Sequence, residues 1–200
     1  MKDQGATRTR RKRIYALAAG SDALDLADHL PFGIAVLANL LRVDRDPYVR
    51  QLTSLGAREL RVLLNIGSYM PVAAADIAYQ ARLDTHTVSR AVKTLLAQGL
   101  IEIQQHDLDR RLTLLTLNET GQALYREVAR ILDIRAKKLV DVLDPSEAIA
   151  MAGMLERLED RAEQLLAEAA LDLERSGMAL SADQRELVRW YKKGSAADGP

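Results

Sequence analysis

Residues 74 to 117 constrain the fold more tightly than any other part of the chain. Ala74 to Ala81 sets Ile77, Ala78 and Ala81 on one face of a short helix, and Arg82-Leu83-Asp84 separates it from a second helical run, THTVSRAVKTLLAQ. Asp84 is placed to cap that second helix and Gly99 to end it. The small side chain of Ala78 permits a close crossing, while Leu83, Val88 and Ala91 fall where such a crossing buries its core. Two short helices joined in this way form a helix-turn-helix unit. Leu100-Ile101-Glu102-Ile103 then alternates as a strand, QQHDLDRR is polar and charged, and Leu112 to Leu117 is a second strand rich in β-formers. The pair predicts a hairpin with a basic tip, a wing, directly after the second helix.

Helices flank this unit on both sides. Leu24, Leu26, Leu30, Phe32, Ile34, Leu37, Leu40 and Leu41 predict a helix from about Pro31, and Asp46-Pro47 restarts it with Asp as cap. Leu60, Leu63 and Leu64 predict a short helix from Gly56 to Ile66, ended by Gly67, with a loop to Pro71. After the hairpin, Asn118 caps a long helix from about Glu119 to Val142, with Leu124, Val128, Ile131, Leu132, Leu139 and Leu143 on its apolar face. Asp144-Pro145-Ser146-Glu147 opens the next helix in the manner of a capping box. There Met151, Leu155, Leu158, Ala162, Leu165 and Ala169 recur at heptad spacing, a seam suited to another helix. Either an intramolecular core or a dimer stem accounts for that seam. Gly177 ends the helix, Ser181 caps a last one over RELVRWYKK, and the GSAADGP tail reads as mobile.

Composition excludes more than it specifies. Without cysteine there are no disulfides, thiolate nucleophiles or cysteine redox sensing, and His29, His86 and His106 lack metal-ligand spacing, so neither metal nor cofactor is expected. No nucleophile-base arrangement or phosphate-binding glycine loop points to an enzyme. No run approaches a membrane span and no apolar segment follows the N-terminal charges, so a cytoplasmic chain without membrane contact is expected. Net charge is zero, against indiscriminate binding to nucleic acid, but its distribution is uneven. Arg8, Arg10, Arg11, Lys12 and Arg13 form an acid-free basic run, whereas residues 144 to 176 carry nine acids against Arg157, Arg161 and Arg175. The basic run either tracks phosphate beyond the main contact or is a solubilising arm.

The order of these elements resembles the multiple-antibiotic-resistance regulator (MarR) family over roughly residues 24 to 170, most strongly in DTHTVSRAVKTLLAQGLI and DLDRRLTLLTLNETG. The family's wing carries an Asp-x-Arg element that falls here on Asp109 and Arg111, and the resemblance implies that Asp109 holds Arg111 by an ion pair. Leu117-Asn118-Glu119-Thr120-Gly121 has Asn where the family has Thr, and both cap helices. Arg82 stands where many such units carry Gly, which requires a bulky residue to take a left-handed conformation. The basic run and residues 177 to 200 fall outside the resemblance.

The expected fold is mainly α with a small β-hairpin wing (α+β), a winged helix-turn-helix lobe plus a helical dimerisation stem. Its divisions are a basic flexible arm (1–20), N-terminal stem helices (21–55), the winged lobe (56–121), C-terminal dimerisation helices (122–176), and a short helix and tail (177–200). In the second helix of the unit, Thr85, His86, Thr87, Ser89 and Arg90 are the candidates for base edges of the major groove, with Arg90 suited to guanine and Thr87 to a thymine methyl or a phosphate. Lys93 is a phosphate anchor, and Arg110 and Arg111 extend to the adjacent minor groove. The function expected is a sequence-specific regulator on double-stranded DNA, a homodimeric repressor on a pseudo-palindromic operator. The resemblance implies release by a small, often aromatic effector bound between stem and lobes. A winged-helix protein-interaction module and a nonspecific architectural DNA-binding protein are the alternatives. For the C-terminal helix, Leu187, Trp190 and Tyr191 form an apolar patch that docks on a partner chain, caps a pocket or packs on the surface.

Overall fold

The computed structural model of the chain describes Leu26 and residues 29–105 and 113–197. Its elements are helix α1 (Leu30–Leu41), a 3-10 turn (Val43–Arg45), α2 (Pro47–Leu52), α3 (Ala57–Tyr69), strand β1 (Val72–Ala73), α4 (Ala74–Ala81), α5 (Thr85–Ala97), β2 (Ile101–Gln105), β3 (Thr113–Leu117), α6 (Glu119–Val140), α7 (Pro145–Arg175) and α8 (Ala182–Ala197). The fold is mainly helical, with a small antiparallel sheet in the order β1-β3-β2.

Local capping chemistry sets most of the boundaries. His29 opens α1 by accepting the Phe32 N–H, and Asp46 opens α2 by accepting from Tyr48 and Val49. Asn118 caps α6 through the Gly121 N–H at 2.9 Å. Asp144 and Glu147 close the reciprocal capping box of α7, and Ser181 and Gln184 exchange a similar pair at the start of α8. Each such cap satisfies a backbone donor that the helix itself leaves unpaired.

Helix α3 runs past its expected end. Gly67 does not terminate it; the helix continues to Tyr69, where the Met70 N–H still bonds to Ile66 and Pro71 stops propagation. Gly67 is small for another reason: a Cβ there would overlap the ring of Tyr125 on α6. The expected loop to Pro71 also gives way to a strand, because Val72 and Ala73 pair with Leu115 and Leu114 and turn the hairpin into a three-stranded sheet. Two residues are too few to show alternation, so β1 has no signature of its own. At the other end of the chain, α8 extends beyond RELVRWYKK to Ala197, into the segment expected to be mobile.

One core lies beneath the sheet. Leu60, Leu63 and Ile66 of α3, Ile77 of α4, Val88 and Leu95 of α5, Leu115 of β3 and Val128 of α6 form it, with Leu83, Leu96, Leu124, Ile131 and Leu132 packed against them. A second, smaller cluster joins Ala170 of α7 to Val188 of α8 and to Leu180 just before that helix. The heptad seam of α7 belongs to neither. Met151, Leu155, Leu158 and Leu165 are each 40 to 49% exposed, which removes the intramolecular-core explanation of that seam. Helix α1 buries none of its residues.

Candidate nucleic-acid interface

Asp84 begins the site. Its extended backbone and side-chain acceptance of the Thr87 N–H at 2.8 Å start α5 after a turn of three residues, 82 to 84. The Thr87 hydroxyl, then the Thr87 amide, and more weakly the Arg90 charge hold the Asp84 carboxyl below the usual carboxylate range. Gly99, at φ 63°, ends the helical segment in the left-handed conformation that its lack of Cβ allows.

Along α5 the residues sort into two stripes. Val88, Ala91 and Leu95 are buried, and His86, Ser89, Arg90 and Lys93 are exposed in a row at spacings of three and four. Thr85 is exposed at the N-terminal end. Thr87 departs from expectation. It lies four residues before Ala91 and eight before Leu95, on the inner stripe, and is only 6% exposed. Its Oγ1 accepts from Arg90 Nη2 at 3.4 Å, so in place of meeting a base or phosphate it steadies the side chain expected to do so. The periodicity of the helix decides this against the general expectation that N-terminal residues point outward.

Strands β2 and β3 stand beside this face in the register Ile101↔Leu117 to Gln105↔Thr113. Their connection holds His106, Asp109, Arg110 and Arg111, and the expectations for these four residues lie outside the described residues.

The turn before α5 contains contacts that sequence reading missed. Arg82 adopts φ 48° and ψ 46°. A side chain in this region costs roughly 1–2 kcal/mol, which is why glycine is common there. Arg82 makes contacts a glycine could not. Its Nη2 lies 2.6 Å from Glu163 and its Nε 3.8 Å from Glu159, both on α7. Its Nη1 donates to the Tyr79 carbonyl, and its guanidinium sits 4.4 Å from the Tyr79 ring centroid and 6.0 Å from that of Trp190 on α8. Trp190, 8% exposed, meets Tyr79 edge to face at 6.4 Å and joins the core of the winged lobe. Glu186 of α8, 6% exposed, accepts the N–H of Thr85 at 3.2 Å. The C-terminal helix therefore docks on its own lobe at the turn. Only the unusual Arg82 and the apolar patch around Trp190 hinted at it.

A surface-open cavity of about 580 Å³ lies between α2 and α6, lined among others by Tyr48, Leu52, Arg130, Ile131, Ile134 and Lys138. Among the described residues no group of three His, Cys, Asp or Glu is arranged to hold a metal ion, and no helix is long and apolar enough to cross a membrane.

Two short helices, a three-residue turn and an adjoining antiparallel sheet define a winged helix-turn-helix protein. The MarR family model matches residues 50–112. Over 99 residues the chain is 25% identical to the HTH-type transcriptional regulator BilQ of Clostridium symbiosum, covering 50% of this chain and 69% of that protein. It is also 31% identical over 114 residues, 52% of this chain, to the phenylalanine–tRNA ligase α subunit of Pyrococcus abyssi, but spans only 22% of that subunit's length. A MarR/EmrR family transcriptional regulator from Acinetobacter sp. ADP1 superposes with a TM-score of 0.64 at 27% identity, covering 70% of this chain and 99% of that one. MepR of S. aureus, solved as a DNA complex, gives 0.58 at 19% identity with 65% and 96% covered. CouR from Rhodococcus jostii RHA1, solved with p-coumaroyl-CoA, gives 0.61 at 18% identity with 68% and 95% covered. Residues 50–112 thus resemble the MarR family, and the fold around them is that of the winged-helix regulators just described. FabT of Streptococcus pneumoniae, like MepR, was solved in complex with DNA.

Proposed function

We propose that the chain is a homodimeric, sequence-specific repressor that binds a pseudo-palindromic DNA operator and is released by a small ligand. The observation that carries this reading is the exposed row His86, Ser89, Arg90 and Lys93 on α5, with Arg90 braced by Thr87. A recognition helix enters the major groove N-terminal end first, so Thr85, His86, Ser89 and Arg90 are assigned to base edges and Lys93 to a phosphate. Arg90 has the planar fork that meets O6 and N7 of guanine together. Arg110 and Arg111 are assigned to the neighbouring minor groove, with Asp109 orienting Arg111.

Dimerisation is supported by the apolar surface left open on the long helices. Phe32, Ile34 and Leu37 of α1 and Leu155, Leu158 and Leu165 of α7 are all more than a third exposed, an arrangement that a second copy would cover. Twofold symmetry then calls for half-sites about one helical turn apart, ~10 base pairs. The cavity between α2 and α6 combines apolar Leu52, Ile131 and Ile134 with the ion pairs Arg130–Glu127 and Arg135–Asp46 and with Lys138, a mixed lining that gives a small effector both apolar and polar contacts. Such a ligand releases DNA if it prefers a lobe spacing that mismatches the half-sites.

The test is a mobility-shift titration on the duplex that the protein selects from a randomised pool, against random duplex. Arg90→Ala is expected to weaken the specific complex by about 1–3 kcal/mol and leave the nonspecific one nearly intact. Equal losses on the two duplexes would make the protein an architectural binder, and no selection at all would leave the interaction module.

A further inference from the structure

Two features of the chain that stand outside the common helix-turn-helix pattern meet at one place. Arg82 occupies the turn position where glycine usually sits, and the helix that contacts it, α8, lies beyond the residues matched by the family model. We propose that the α7/α8 hairpin is a clamp that positions the recognition helix, acting through Arg82, Trp190 and Glu186. This inference rests on the DNA-binding reading above and adds to it a set of positioning residues.

The clamp holds α5 at both sides of its N-terminal end. Behind the turn, Arg82 is bound to Glu163 at 2.6 Å and stacked against Tyr79, which in turn meets Trp190. At the helix start, Asp84 takes the Thr87 N–H from within the turn, and Glu186 takes the Thr85 N–H from a helix 101 residues further along the chain. Helix α8 is itself fixed to α7, where Leu180 and Val188 pack on Ala170. The first turn of the recognition helix is thus tied to the long helix whose open seam is assigned to the dimer, and not only to its own lobe.

None of these contacts lies on the exposed row. His86, Ser89, Arg90 and Lys93 remain open with α8 in place, so the docked helix supports the reading face without blocking it. Two recognition helices can meet one duplex only at a fixed separation and tilt. A link from the helix start to α7 restricts both.

The experiment compares Arg82→Gly, Trp190→Ala, Glu186→Ala and Glu186→Gln with the wild type. Glycine adopts the left-handed turn without a Cβ clash, so Arg82→Gly cuts the link while sparing the fold of the lobe. Glutamine keeps an oxygen that accepts the Thr85 N–H, so Glu186→Gln should restore what Glu186→Ala loses. On the duplex selected by the wild type, Arg82→Gly, Trp190→Ala and Glu186→Ala are expected to bind about tenfold more weakly, a common size for coupling between sites. Their dependence on salt should be unchanged, because no phosphate contact is lost. Glu186→Gln should bind like the wild type. Tighter binding by both Glu186 variants would overturn the clamp, since it would make the carboxylate a repeller of phosphate. Amide hydrogen exchange without DNA tests the link independently of binding. Residues 85 to 88 should exchange faster in Arg82→Gly and Glu186→Ala, and not in Glu186→Gln. Unchanged exchange refutes the clamp, whereas a wild type that selects no duplex refutes the DNA reading alone.

Discussion

Helices α3 and α7 divide the molecule into two kinds of construction. In thirteen residues α3 buries Leu60, Val62, Leu63 and Ile66, each completely or nearly so. In thirty-one residues α7 buries only Ala167 and Ala170. Both carry apolar side chains at helical spacing, so periodicity does not distinguish them. What differs is the supply of neighbours. Around α3 the chain itself provides α4, α5, α6 and β3, whereas among the described residues α7 meets chiefly α8 and the turn at Arg82. The winged lobe builds its core within one copy. The long helices are held in shape by their caps and hydrogen bonds, with their apolar seam still open to a partner.

Cavity formation should separate the two regions most sharply. Leu63→Ala is expected to lower unfolding stability by about 2–5 kcal/mol. Leu158→Ala, at a site 42% exposed, should change the stability of the isolated chain by less than about 0.5 kcal/mol. Denaturant titration at low concentration measures both, and sedimentation of the Leu158 variant should show weaker self-association. Similar losses at the two positions would erase the distinction between the lobe and the long helices.

Glycines provide a second contrast. A Cβ at Gly121 would run into the backbone carbonyl of Leu100, so Gly121→Ala should cost about 1–3 kcal/mol by thermal or chemical unfolding. Gly153, on α7, has nothing within 4 Å of such a Cβ. Near the small end of the scale, Gly153→Ala should stabilise the helix by roughly 0.5–1 kcal/mol. A loss at Gly153 would instead reveal a partner packed against that turn, and the concentration dependence of unfolding would show it.

Asp84 tests the lobe by pH, with an effect between those of the two glycine variants. Removing a helix cap of this kind costs about 1 kcal/mol. Because hydrogen bonds from Thr87 depress the folded-state pKa of Asp84, its stabilisation is complete above the unfolded value near ~3.9 and fades as pH falls through the lower folded value. The gap in stability between wild type and Asp84→Ala should therefore be constant near neutrality and close in acid. A gap that persisted below that range would remove the carboxylate from the cap.

Much of the architecture was legible because its signals are short in range. Asp84, Asn118 and the Asp144-Glu147 pair each act within three residues, and all three start helices where they were expected to. The left-handed conformation of Arg82 was expected because it stands where many such units carry Gly. Thr87 misled because residue type suggested an outward polar contact while its position, in register with Ala91 and Leu95, put it inside. Gly67 misled in the opposite sense. Its type suggested a helix end, and only the approach of Tyr125 explains it.

From the chain order of residues alone came the helix starts, the three-residue turn, the paired strands β2 and β3 and the apolar periodicity of α7. All of these follow from interactions between residues a few positions apart. Packing alone decided that Val72 and Ala73 join the sheet, that the seam of α7 stays uncovered, and that Glu186 closes the start of α5 from across the molecule. The physical reason is separation along the chain. A hydrogen bond between residues 101 positions apart depends on where whole helices come to rest, and no local pattern in either segment records that.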